Sequence, residues 1–174
     1  MRKEELRRQV RQAKRQFSQQ QLAELSLPIV GRLRPLLADA ATVLLYYPLP
    51  DEVDVRPLIS ELAAKGRTVL LPCVTGPETM ELRRYSLETD LCPGALNIME
   101  PTSDVFADYA AIDVAVIPAM AYDSEGHRLG RGRGYYDRFL ETVPHIYKIG
   151  VCFDFQKVAC VPVESTDVSV DCVV

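Results

Sequence analysis

Three β-rich apolar runs of this chain stop at proline: Tyr46-Tyr47-Pro48, Leu70-Leu71-Pro72 and Ile117-Pro118. Proline has no N–H to give to a sheet, so each marks where a strand should end. Further short runs follow the same style, at 41–47, 68–71, 83–86, 112–117, 148–153 and 168–174. Several are apolar nearly throughout, which is how strands covered on both faces read. Helical patterns lie between some of them, at 54–65, closed by Gly66, and at 135–142, before Pro144. Two more precede the sheet: apolar spacing over 4–17 predicts one helix, and Ser18 with Gln21 forms the capping-box pattern that opens a second through about Leu37. Such alternation predicts one three-layer α/β domain over residues 1–174 with a largely parallel sheet.

If those strands are parallel, their proline stops share the carboxyl edge of the sheet, where open α/β sheets bind ligands. Function is therefore expected in the loops that follow: 48–54 (PLPDEVD), 72–80 (PCVTGPETM) and 118–134 (PAMAYDSEGHRLGRGRG).

Composition excludes several chemistries. Only His127 and His145 are present, too few for a histidine-rich metal centre or a Ser-His-Asp triad, so any metal should be a hard cation held by carboxylates. The five cysteines are odd in number and include no C-x-x-C pair, which suits reduced, buried thiols. No apolar run approaches the ~20 residues of a bilayer span, and the first residues lack the apolar block of a secretory signal. A cytoplasmic protein without membrane or nucleic-acid partners is expected.

Charge is unevenly placed. Residues 1–17 hold seven Arg and Lys against two Glu, a local +5, which leaves the remainder at −9. This basic arm reads as a solvated helix, with Glu4 and Arg8 as an i,i+4 pair, or as a contact for an anionic ligand. A transit peptide is disfavoured by the two glutamates, and nucleic-acid binding lacks interleaved aromatics or a second basic cluster.

The densest chemistry is G-H-R-L-G-R-G-R-G-Y-Y-D over 126–137. Four glycines in nine residues let backbone N–H groups approach a ligand, and the helix that follows presents its positive end. Arg128, Arg131 and Arg133 add fork-shaped donors suited to phosphate oxygens. The combination describes a polyanion cradle; the plainer alternative is a flexible loop with solvated arginines. No Gly-Lys-Ser/Thr of a P-loop occurs. A dinucleotide fingerprint would use Gly130, Gly132 and Asp154, but Tyr135 occupies its third glycine position, and the preceding strand ends at Pro118. Asp137 falls in the first turn of a helix, where the dipole favours a carboxylate; it also suits Mg²⁺, which binds one or two carboxylates besides phosphates and waters. Asp167 could return to the same edge as a second ligand. Asp51 and Asp54 read as turn and N-cap residues, leaving Glu52 without a local task.

The run RLGRGRGYYDRFL, with IDVAVIPAMAYDSEG before it, YYPLPDEVD and GALNIMEP upstream and KxxxR at the start, resembles the 5-formyltetrahydrofolate cyclo-ligases, also called methenyltetrahydrofolate synthetases. The likeness runs from Lys3 to Asp171. It implies a Rossmann-like fold similar to the sugar-phosphate isomerase and CoA-transferase group. It also implies conversion of 5-formyltetrahydrofolate to 5,10-methenyltetrahydrofolate with ATP and Mg²⁺. By the same resemblance, Lys3, Glu4, Glu5, Leu6, Arg7 and the stretch Arg128, Leu129, Gly130, Arg131, Gly132, Arg133, Gly134, Tyr135 and Tyr136 would contact ATP. Tyr47, Glu52 and residues 131–135 would contact the folate, which could carry a polyglutamate tail. Asp137 and Asp167 would bind Mg²⁺, and Arg131, Arg133 and Tyr135 would act on the reacting groups. A monomer is expected. The rival readings are a nicotinamide-linked oxidoreductase and a non-catalytic nucleotide- or folate-binding module.

Overall fold

A computed structural model describes residues 1–88 and 91–174. Helices α1 (Lys3–Lys14) and α2 (Gln19–Leu36) lead into β1 (Thr42–Leu44), α3 (Arg56–Ala64), β2 (Thr68–Val74) and β3 (Met80–Tyr85). The chain continues through β4 (Leu91–Pro93), β5 (Met99–Pro101), β6 (Val105–Phe106) and β7 (Val114–Pro118). It closes with β8 (Ala121–Tyr122), β9 (Arg128–Leu129), α4 (Tyr135–Thr142), β10 (Tyr147–Val151) and β11 (Cys172–Val173). The central sheet has the order β11-β10-β7-β1-β2-β3-β6. Its first five strands are parallel, and β3 and β6 add an antiparallel edge.

Period-two alternation explains the three layers. Val43, Val69, Leu71, Val114, Val116 and Ile149 face one way, onto Ile29, Leu33, Leu58 and Ile59 of α2 and α3. Leu44, Leu70, Ala115 and Ile117 face the other, onto Phe139 and Leu140 of α4. Both faces are covered, so neither side of these strands can be polar, as the apolar runs required. The Ser18–Gln21 capping box is present in both directions.

Several strand boundaries differ from expectation. The run 41–47 is strand only over Thr42–Leu44, so β1 stops short of Pro48, at the point where its pairing with β2 and β7 runs out. Pro72 does not end its strand: β2 runs to Val74 because its other edge pairs with β3, with Pro72 opposite Leu82. What stops there is pairing with β1, whose last bond to β2 runs from Leu45 N to Leu70 O. The stretch 168–174 is strand only at Cys172–Val173. Val170 instead donates its N–H to Gly126 O, tying the end of the chain to the glycine loop. Among the described residues no helix is long and apolar enough to cross a membrane.

Candidate functional site

Helix α1 is held from within by apolar contacts and from one side by charge. Leu6 and Val10 pack with Met120, Ala121, Leu129 and Val161. Lys3, Arg7 and Lys14 share one helix face, and each reaches a different loop. Lys3 Nζ donates to Asp167 Oδ2 at 2.6 Å, Arg7 Nε to Gly130 O at 2.9 Å, and Lys14 Nζ to Asp51 Oδ2 at 3.1 Å. Arg8, Arg11 and Arg15 face solvent. The expected Glu4–Arg8 pair is replaced by Glu4 with Arg7, one residue nearer, because Arg7 is turned inward toward the glycine loop. Glu5 is exposed, whereas Leu6 is a core side chain that can meet a ligand only through its backbone.

The glycines of the loop have separate tasks. Gly126 (φ +79°), Gly132 (φ +106°) and Gly134 (φ +70°) adopt backbone that side chains disfavour. A Cβ at Gly126 would stand 2.4 Å from Val170 O. Gly132 instead passes the Arg7 guanidinium, where a Cβ would lie 3.6 Å away in ordinary contact. Gly134 precedes α4, so the loop runs directly into a helix N-terminus. Leu129 is fully buried in β9, so it too offers a ligand only backbone.

The arginines of the loop are not equivalent. Arg128 has a side chain only 4% exposed, with Nη2 2.8 Å from Asp137 Oδ1 and the guanidinium over the Tyr136 ring at 5.6 Å. Its Nε is buried without a hydrogen-bond partner among the described residues. Arg131 crosses to the 48–54 loop, with Nη2 3.1 Å from Asp51 Oδ1 and 3.7 Å from Glu52 Oε2. Arg133 is exposed, and its carbonyl accepts from Arg138 Nη2 at 2.6 Å. Tyr135 OH donates to Gly76 O at 3.0 Å, which joins the glycine loop to the loop after β2. Between these two loops lies a cleft of about 410 Å³ lined by Val74 to Pro77, Ala95, Arg133 and Tyr135. The carboxyl edges of β1, β2 and β7 thus feed one region, as the proline stops implied.

Glu52 sits at the floor of the 48–54 loop. Its Oε1 accepts from Leu49 N at 2.8 Å, and Tyr46 OH donates to Val53 O at 2.9 Å, fixing the turn. Burial pushes the Glu52 carboxyl above its ordinary range, only partly opposed by Arg131. Asp51 is different: burial raises it, but Lys14 and Arg131 outweigh that and hold it below the usual carboxylate range. The turn role expected for Asp51 is therefore secondary to its two ion pairs, a role invisible without the fold. Asp54 is not the N-cap it was expected to be: α3 starts from Val55, which offers no side-chain cap, and Asp54 instead accepts from Arg56 N at 3.1 Å across a tight turn and pairs with the Arg56 guanidinium at 2.8 Å. Tyr47, half-buried, lies beside Arg56.

Asp137 and Asp167 arrive together. Asp137 Oδ1 accepts from Val168 N at 3.1 Å, one residue beyond Asp167, while Asp167 Oδ2 takes Lys3 and the Glu164 N–H at 2.8 Å. Burial raises Asp167, but the Lys3 contact and the Glu164 N–H together outweigh it and hold the carboxyl below the usual carboxylate range. Among the described residues no group of three or more His, Cys, Asp or Glu could hold a metal alone. Two neighbouring carboxylates do fit Mg²⁺ completed by phosphates and water. Asp154, the acid of the dinucleotide alternative, pairs with Lys157 at 2.8 Å and Arg32 of α2 at 4.0 Å, away from the glycine loop.

The family model for the "5-formyltetrahydrofolate cyclo-ligase family" matches residues 1–174. The curated 5-formyltetrahydrofolate cyclo-ligase of Escherichia coli K12 is 32% identical over 174 residues, covering 95% of each chain. Among solved structures, the Aquifex aeolicus 5,10-methenyltetrahydrofolate synthetase superposes with a TM-score of 0.86 at 35% identity, over 99% of this chain and 89% of that one. The Mycoplasma pneumoniae 5,10-methenyltetrahydrofolate synthetase gives 0.81 at 25% identity, over 99% and 98%. With its glycine loop, paired carboxylates and mostly parallel sheet, the chain belongs to the 5-formyltetrahydrofolate cyclo-ligase family.

Proposed function

We propose that the chain closes 5-formyltetrahydrofolate to 5,10-methenyltetrahydrofolate at the expense of ATP, in one domain. The formyl oxygen attacks the γ-phosphorus and ADP leaves. N10 then attacks the activated formyl carbon, gives up its proton, and the C–O bond breaks to release phosphate. The observation that carries this reading is Arg131 spanning from the glycine loop to Asp51 and Glu52. One cation thereby joins a loop built for phosphates to a loop holding a buried carboxylate.

Phosphoryl transfer asks mainly for alignment and for positive charge where negative charge spreads. Arg131 and Arg133 supply that charge, Lys3 and Arg7 approach from α1, and the α4 N-terminus adds its amide dipoles. Tyr135, fixed on Gly76 O, sets the wall between nucleotide and folate. Glu52 and Tyr47 would receive the pterin: a carboxylate in a dry loop anchors N–H donors, and no step requires histidine. Of the remaining residues expected at ATP, Glu4 and Glu5 would meet it from α1, Gly130, Gly132, Gly134, Leu6 and Leu129 would offer backbone, Tyr136 would support the Arg128 guanidinium that lies over its ring, and Arg128 would act through Asp137. Asp137 and Asp167 would hold Mg²⁺, which when bound neutralises phosphate charge.

The test is to mix purified protein with 5-formyltetrahydrofolate, ATP and Mg²⁺ and follow the methenyl chromophore in the near ultraviolet. Product should appear with one ADP and one phosphate each. Folded protein that binds both ligands without forming the chromophore would leave only a binding module.

A further inference from the structure

Asp51 serves two cations with separate oxygens, Oδ2 toward Lys14 and Oδ1 toward Arg131, each at 3.1 Å. The partners differ in freedom. Lys14 has a side chain 5% exposed and cannot leave without stranding a charge, whereas Arg131 is 38% exposed and borders solvent. The Arg131 nitrogen that touches Asp51 also stands 3.7 Å from Glu52 Oε2, beyond hydrogen-bond length, so Asp51 is the tether and Glu52 the group covered.

We infer that Arg131 exchanges partners during binding. Asp51, kept neutralised by Lys14, is its resting acceptor, and polyphosphate draws it away and uncovers Glu52 for the N–H donors of the pterin. This rests on the proposed function and extends it, since that reading gives neither Lys14 nor Asp51 a ligand contact. Both are positioning residues. When Arg131 departs, Asp51 still has Lys14, so the exchange leaves no unpaired carboxylate behind. Without Lys14 the same departure strands Asp51, and Arg131 is held more tightly. The two ligands consequently assist one another.

Binding of a non-hydrolysable ATP analogue with Mg²⁺ can be measured by calorimetry for the wild type, Lys14→Met and Lys14→Met/Asp51→Asn, after melting curves establish folding. Lys14→Met should weaken the analogue by roughly 5-fold or more, and adding Asp51→Asn should restore it, because the trap for Arg131 is then gone. A merely structural lesion would not be repaired by a second loss of contact. In the wild type, the analogue should also tighten 5-formyltetrahydrofolate by roughly 5-fold or more. Wild-type affinity in Lys14→Met, no recovery in the double variant, or folate affinity indifferent to the analogue would overturn the inference while leaving turnover intact. Failure of wild-type protein to bind the analogue at all would remove the proposed function itself, and this exchange with it.

Discussion

Arg128 Nη2 lies 2.8 Å from Asp137 Oδ1, and the Arg128 side chain is almost wholly buried. Asp137 thus has two tasks, since a carboxylate proposed for the metal also neutralises an arginine inside the protein. Replacing it strands that arginine. Asp137→Ala should therefore lose turnover and also cost roughly 3 kcal/mol of stability, the scale for breaking a buried pair. Arg128→Met/Asp137→Ala should recover part of that stability but no activity. Denaturant melts beside the chromophore assay separate the two effects; full turnover in Asp137→Ala would remove it from the metal site.

Gly126 and Gly132 both have positive φ, yet only the first has backbone against it. Gly126→Ala adds a clash with Val170 O to the conformational strain, and should destabilise the protein by more than the ~1–3 kcal/mol of strain alone. Gly132→Ala meets only the Arg7 guanidinium, at ordinary contact distance, so its expected signature is weaker nucleotide binding with a smaller change in melting temperature. Equal melting temperatures for the two variants would contradict this division.

Glu52 gives a pH dependence with a definite sign. Burial raises its carboxyl above the ordinary glutamate value of 4.5, so the folded state holds this proton more tightly than the unfolded chain. Its contribution is full below the unfolded value and is lost as pH rises through the folded one. Glu52→Gln cannot ionise and escapes that loss. Relative to wild type, the melting temperature of Glu52→Gln should therefore improve as pH rises from 4.5 toward neutrality. A difference that stays constant would show that Arg131 cancels burial, and one that declines that it outweighs it. Asp51 and Asp167, held below the ordinary aspartate value of 3.8, act oppositely: their stabilisation is present above it and lost in stronger acid.

The sheet and the glycine loop were legible because each has a local cause. A strand covered on both faces must be apolar, and a loop that turns at Gly126, Gly132 and Gly134 must use glycine. The hairpins β4–β5 and β8–β9 carry no sequence signal, since ladders of two or three residues leave no periodic pattern. Pro72 misled for a related reason: a missing donor ends pairing on one edge, and the sequence does not say which edge is paired. Lys14 and Asp51 were unreadable because their meeting depends on the 48–54 loop folding onto α1, 37 positions away. Lysine at position 14 continues the face of Lys3 and Arg7, and that was the one available signal.

The most direct measurement follows the oxygen. With the formyl group of 5-formyltetrahydrofolate carrying ¹⁸O, a single turnover with ATP and Mg²⁺ should yield inorganic phosphate bearing one ¹⁸O atom, because the formyl oxygen leaves attached to phosphorus. Unlabelled phosphate alongside the methenyl product would contradict the transfer from nucleotide to folate that the site between Arg131, Tyr135 and Glu52 is proposed to align.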